Sequence, residues 1–223
     1  MKSNNFFHHG SHRLAAAFLL ALIIGMGFAC TSLFNQHRFA HVPAVHVHQL
    51  RMDASIHFTP SWVWVYVLYY PFCFLPLALP EIRNDPDVFM RTGLAFLLQF
   101  GFSYACFIAL PLQMVHPHLS GGAASHLLAR LYSVDQGFNS FPSLHVANVT
   151  FIVLLFERLR GARVALPLSG VAILITLSTV LVKQHYIADV IVGAGLGWMT
   201  FILSFVKPPC QAPGCVGEST KRA

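Results

Sequence analysis

Charge is the scarcest property of this chain. Asp, Glu, Lys and Arg supply 10% of its 223 residues while 56% are hydrophobic, whereas an ordinary soluble domain is about 25% charged. That balance excludes a soluble globular enzyme and a disordered chain as main readings. A clustered basic stripe is also missing. The 14 Lys and Arg against 8 Asp and Glu give a formal charge of +6, but they are spread along the chain, so no nucleic-acid partner is expected. Five cysteines are an odd number and indicate no disulfide framework. Cys30, Cys73 and Cys106 lie in apolar stretches, where they read as small core residues. The chain shows no internal repeat and no second domain. It also lacks any organelle address, which points to a plasma or inner membrane of bacterial type.

Long apolar runs dominate instead. They cover 14–34, 62–79, 94–115, 146–156 with Pro142 ahead of it, 164–182 and 187–206, and a bilayer span needs about 20 such residues. The spacing predicts an all-α integral membrane protein, a six-helix bundle forming one membrane domain over 1–223. The first run exceeds the ~7–15 apolar residues of a signal-peptide core, so a retained helix is expected, with a cleaved leader as the alternative. Six spans place ten basic residues on one side, among them Arg13, Arg83, Arg91, Arg158, Arg160 and Arg163. Arg38, Arg51, Arg130 and Lys183 fall on the other. Short basic loops stay cytoplasmic, so both termini are expected inside, with 35–60, 116–141 and 183–186 facing away from the cytoplasm. Asn84, Asp85, Pro86 and Asp87 read as an inner turn, and the Pro- and Gly-containing tail from 208, with Cys210 and Cys215, as flexible.

Two polar clusters interrupt this apolar pattern on the outer side. The first is Asp135, Asn139, Phe141, Pro142, Ser143, Leu144 and His145, just before the fourth run. Pro142 suits a helix start, and the free N–H groups from Ser143 onward would attract an anion such as phosphate. The second is Ser178, Thr179, Lys183, Gln184, His185, Tyr186 and Asp189, between the fifth and sixth runs. His185 and Asp189 are four apart, so the carboxylate can hold one imidazole nitrogen and leave the other as base or nucleophile. An ionisable group inside a membrane segment is costly enough to be a functional-site hypothesis in itself. The intervening chain enters by one span and returns by the next, so both histidines reach the same face. The bland alternatives are a helix cap and a structural polar pair between helices.

These residues resemble the type 2 phosphatidic acid phosphatase superfamily of membrane lipid phosphatases and phosphotransferases. Its Pro-Ser-x-His motif stands as Pro142, Ser143, Leu144 and His145. Its Ser-Arg-x5-His-x3-Asp motif stands as Ser178, Thr179, His185 and Asp189. The resemblance covers about 93–206, and the stretches around His145 and His185 look most like the branch with inositol phosphorylceramide synthases and bacterial relatives. Two departures stand out. Thr179 replaces the motif arginine, and the first motif, Lys-x6-Arg-Pro, is reduced to His116 and Pro117 with Ala109 at the lysine position. Lys183 is the expected replacement cation, with His116 and Arg130 behind it.

The resemblance implies that His185 attacks phosphorus, Asp189 orients it, and His145 acts as acid and then base. It implies that Ser143, Lys183 and His116 hold the phosphate, with no metal and no cofactor. The implied substrate is a phospholipid, isoprenoid or sphingolipid phosphate or diphosphate in the membrane. A head-group phosphotransferase and a non-catalytic relative are the alternatives. Separately, His37, His41, His46, His48 and His57, with Asp53, invite a metal-loop reading, weighed against a loop that titrates near neutral pH. The aromatic residues of 62–70 read as an interfacial belt.

Overall fold

The computed structural model describes residues 10–39, 49–110 and 112–206. Ten α-helices and no strand occur among them: α1 Gly10–Phe39, α2 Arg51–Ser55, α3 Val63–Tyr66, α4 Tyr69–Cys73, α5 Pro80–Asn84, α6 Pro86–Ala109, α7 Ala123–Val134, α8 Leu144–Arg160, α9 Ala162–Leu181 and α10 Ile187–Phe205. Four of them, α1, α6, α9 and α10, are long and apolar enough to cross a bilayer. Large apolar side chains such as Phe18, Met26, Leu166, Ile191 and Leu203 point outward from them, as lipid-facing surfaces require. The protein is an all-α bundle of an integral membrane type.

The second apolar run is not one helix. Pro71 and Pro76 each remove an amide donor, and the run becomes α3, α4 and a 3-10 turn at Leu75–Ala78, followed by α5. It nevertheless runs alongside α8. Tyr66 meets His145, Tyr69 meets Asn148 and Glu81 meets Arg160, a constant offset of 79 residues. The broken segment therefore keeps step with α8 from one end to the other. The third span also starts earlier than expected. Asp85 caps α6 by accepting from the amides of Asp87 and Val88 at 2.8 and 3.4 Å, and Pro86 opens the first turn.

Helix α8, expected as the fourth span, is short at 17 residues and is not among the four helices long enough to cross a bilayer, but it is the central helix. Val146, Ala147, Val149, Phe151, Ile152 and Leu155 are all buried beneath α4, α6, α9 and α10. It needs little lipid-facing surface for that reason. Helix α7 lies where a loop was expected. Its Ser125, Leu128 and Tyr132 form one buried stripe that packs against α3 and the turn at Pro60–Trp62. Cys30 is exposed and Cys73 and Cys106 are half-buried, so the apolar surroundings of Cys30 are lipid and not core. The tail with Cys210 and Cys215 lies outside the described residues.

Helices α8 and α10 run parallel at unusually close range. A Cβ added at Gly193 would lie 2.5 Å from the Ser143 carbonyl oxygen, and one at Gly197 would lie 2.3 Å from that of Ala147. Small residues four apart allow such an approach between membrane helices. One turn away Gln99 donates to Thr200 at 2.9 Å, joining α6 to α10. Gly193→Ala is expected to push α10 away from α8 and lower the thermal unfolding midpoint in detergent, an overpacking cost of about 1–3 kcal/mol. Gly195→Ala, where an added Cβ meets nothing within 4 Å, should leave that midpoint in place.

Candidate active site

The two polar clusters meet where α8 and α10 begin. Ser143 caps α8, its hydroxyl accepting from the Val146 amide at 3.4 Å, and its own N–H donates to the Asp189 carbonyl at 3.1 Å. That bond fastens one motif directly to the other. It also means that the Ser143 amide is engaged, leaving the amides of Leu144 and His145 at the open start of the helix. The Thr179 carbonyl, at the end of α9, accepts from the amides of both Gln184 and His185. A turn with Lys183 in the left-handed region, φ 53°, then delivers His185 to the site.

One acceptor fixes the protonation pattern. Nδ1 of His185 lies 2.9 Å from the Ser140 carbonyl, and a carbonyl can only accept, so Nδ1 carries the hydrogen. In the neutral ring Nε2 of His185 is then a lone pair, and it lies 3.1 Å from Nδ1 of His145. His145 donates across that gap, which leaves its own Nε2 to accept from the Tyr66 hydroxyl at 2.7 Å. The result is a directed chain from Tyr66 through His145 to His185. An Asp189 carboxylate oxygen stands 3.4 Å from Nδ1 of His185 and accepts from the Tyr186 amide at 2.9 Å. His185 is 3% exposed and Asp189 fully buried, so this electrostatic coupling is poorly screened.

The structure thus brings together His145, His185, Asp189 and Ser143. It places the two expected cations elsewhere. The Lys183 ammonium donates to the Asp53 carbonyl at 3.0 Å, and burial pushes its pKa down while the Asp53 charge opposes that shift. The His116 ring stacks on Tyr132 with centroids 3.7 Å apart, and burial pushes its pKa down to about 4. At neutral pH His116 carries no charge.

Several residues at the site escaped the sequence reading. Tyr66 and Tyr69 fall in the aromatic run taken as an interfacial belt, yet Tyr66 is 3% exposed and the Tyr69 ring lies 4.2 Å from that of His145. Two tyrosines three apart are a usable signal, because a buried hydroxyl needs a partner. Trp64 and Tyr70 do face outward. Asp53, weighed only as a metal ligand, is buried and accepts from the amides of Leu50 and Ile187 at 2.8 and 2.9 Å. It ties α2 to the start of α10. No group of three or more His, Cys, Asp or Glu that could hold a metal occurs among the described residues. His41, His46 and His48 lie outside them.

The family model described as the PAP2 superfamily matches residues 26–203. No curated protein and no solved structure matches the chain.

Asp53→Ala is expected to lower the unfolding midpoint by stranding two amides, at about 1–3 kcal/mol, whereas Asp53→Asn keeps an acceptor oxygen and should lose less. For His116 the folded pKa lies below the ordinary 6.5, so the unfolded chain takes up the proton first as pH falls. Its contribution to stability is full above about pH 6.5 and is lost toward pH 4. His116→Phe should therefore flatten the fall of unfolding midpoint measured between those pH values.

Proposed function

The chain belongs to the PAP2 superfamily, and from that premise we propose that it is a membrane lipid phosphatase whose nucleophile is His185. The observation that carries this reading is the histidine pair. Nε2 of His185 is presented as a lone pair, with its other nitrogen held by Ser140 and Asp189 and the donor Nδ1 of His145 at 3.1 Å. A nucleophile, an oriented base and a carboxylate in that order are the elements of covalent phosphoryl transfer.

In the resting arrangement the nucleophile is covered by His145. A lipid phosphate entering between the rings displaces that hydrogen bond and frees both groups. Nε2 of His185 then attacks phosphorus, the phosphorus–oxygen bond to the lipid breaks, and His145, which has taken up the acidic proton of a monoanionic lipid phosphate on its entry, gives a proton to the departing alcohol. In the second step His145 takes a proton from water, the water oxygen attacks phosphorus, the phosphorus–nitrogen bond breaks and phosphate leaves. The nearby Asp189 carboxylate stabilises the positive imidazole in both steps.

Charge building on the phosphoryl oxygens would be met by the amides of Leu144 and His145, the Ser143 hydroxyl and Lys183 once it leaves Asp53. His116, neutral at working pH, would contribute a ring nitrogen and not a charge. Both histidines lie at the end of the bundle opposite Arg83, Arg91 and Arg160. Short basic loops are retained in the cytoplasm, so the site opens on the other face.

The test is phosphate release from a panel of lipid monophosphates and diphosphates, in chelator, by the purified protein. His185→Ala should abolish release, His145→Ala should reduce it by about a hundredfold or more, and both proteins should remain folded. Water and an alcohol can serve the same histidines, so added ceramide or diacylglycerol is expected to leave the products unchanged for a phosphatase. A new phospholipid product would make the protein a phosphotransferase. Turnover that survives in His185→Ala would contradict the mechanism.

A further inference from the structure

Beside His145 an apolar cavity of about 820 Å³ opens between α1, the broken segment and α6. Its head is formed by His145, Tyr66, Tyr69, Asn148 and Asp135, and its floor lies near Ile82 and Arg91. The broken segment keeps step with α8, so the distance from His145 to the Arg160 level is about 22 Å at 1.5 Å per residue. On the α1 side the wall includes Ala17, Ala21 and Gly25, four apart on one helix face, beside Leu20, Ile24 and Phe28. Such small residues ordinarily let a neighbouring helix close in; here the space stays open. A Cβ added at Gly25 meets nothing within 4 Å.

One polar atom at the head of this cavity is unsatisfied. Asn148 is 1% exposed and donates through Nδ2 to the Tyr69 hydroxyl at 2.6 Å, while its Oδ1 has no hydrogen-bond partner among the described residues. A buried acceptor left unpaired keeps the cost of its lost hydration, and a ligand that donates to it removes that cost. Asn148 stands three residues along α8 from His145, about 4.5 Å deeper.

We infer that the cavity takes the hydrocarbon chain of a lipid phosphate and that Asn148 accepts a hydrogen bond from a hydroxyl or amide N–H of that lipid close to its phosphate. This rests on the reading of His185 as the phosphoryl acceptor. The favoured substrate class is then a long-chain lipid phosphate with a donor beside the phosphate, and a prenyl or simple alkyl phosphate, which has none, is disfavoured. A bilayer is as apolar as the cavity, so the chain gains little by leaving it. The selection comes from shape and from the single hydrogen bond.

The experiment compares two substrates of equal chain length in the full-length protein: a monoacylglycerol phosphate with a free hydroxyl, and an alkyl phosphate. The wild type should favour the hydroxyl-bearing lipid in kcat/KM by about tenfold. Asn148→Leu should bring that ratio near one, and Asn148→Asp, which keeps an acceptor, should retain most of it. Ala17→Phe, which fills the cavity one helical turn from Arg13 and its partner Arg83, at the end away from the histidines, should slow long-chain substrates about tenfold more than short-chain ones. Equal loss on both substrates in Asn148→Leu would overturn the hydrogen bond and leave Asn148 a support for Tyr69. An unchanged chain-length profile in Ala17→Phe would mean that the cavity holds a bystander lipid or nothing during turnover. Either result leaves the phosphatase reading standing, whereas a wild type inactive on both substrates and on the wider panel would remove its basis.

Discussion

The closeness of α10 to α8 is the constraint on which the site depends. With any side chain at Gly193 or Gly197, the carbonyls of Ser143 and Ala147 would force the helices apart. At the observed spacing the Ser143 amide reaches the Asp189 carbonyl, and the starts of the two helices become one unit. The segment ahead of α8 then offers the Ser140 carbonyl to His185, and that single acceptor orders every proton from His185 back to Tyr66. In a membrane no hydrophobic gain drives helices together, so tight backbone packing and interhelical hydrogen bonds must carry the assembly.

Most of this layout was legible in the sequence where the physics is local or periodic. Apolar length identified α1, α6, α9 and α10, and the distribution of arginine anticipated that Arg83, Arg91 and Arg160 gather at the end away from the histidines. The i, i+4 spacing of His185 and Asp189 survives as a 3.4 Å contact, and alternation of spans correctly brought His145 to the same face. What was not legible depends on partners distant in sequence. Nothing in the 62–79 run says that its prolines would split it while it still tracks α8. The amphipathic stripe of α7 was present in the sequence but lay in a segment assigned to solvent.

The residues expected to hold phosphate show the same limit. A sequence displays a cation but not what occupies it, and Lys183 is occupied by the Asp53 carbonyl. It displays a histidine but not its charge, and burial keeps His116 neutral where it stacks on Tyr132. On the proposed mechanism the site would rely less on fixed positive charge than the family motifs provide, and more on backbone amides at the start of α8 and on the histidines themselves. Tyr66 belongs to this economy of charge, since it supplies the donor that holds the outer nitrogen of His145.

The central claim is that the phosphoryl group passes through His185. Its most direct test is rapid quenching of the purified protein during turnover of a lipid labelled in its phosphate, followed by mapping of the label. The account predicts label on the peptide containing His185, absent in His185→Ala and persisting longer in His145→Ala, whose second step lacks its base. Steady turnover with no label on the protein at any quench time, or label on a residue other than His185, would contradict it.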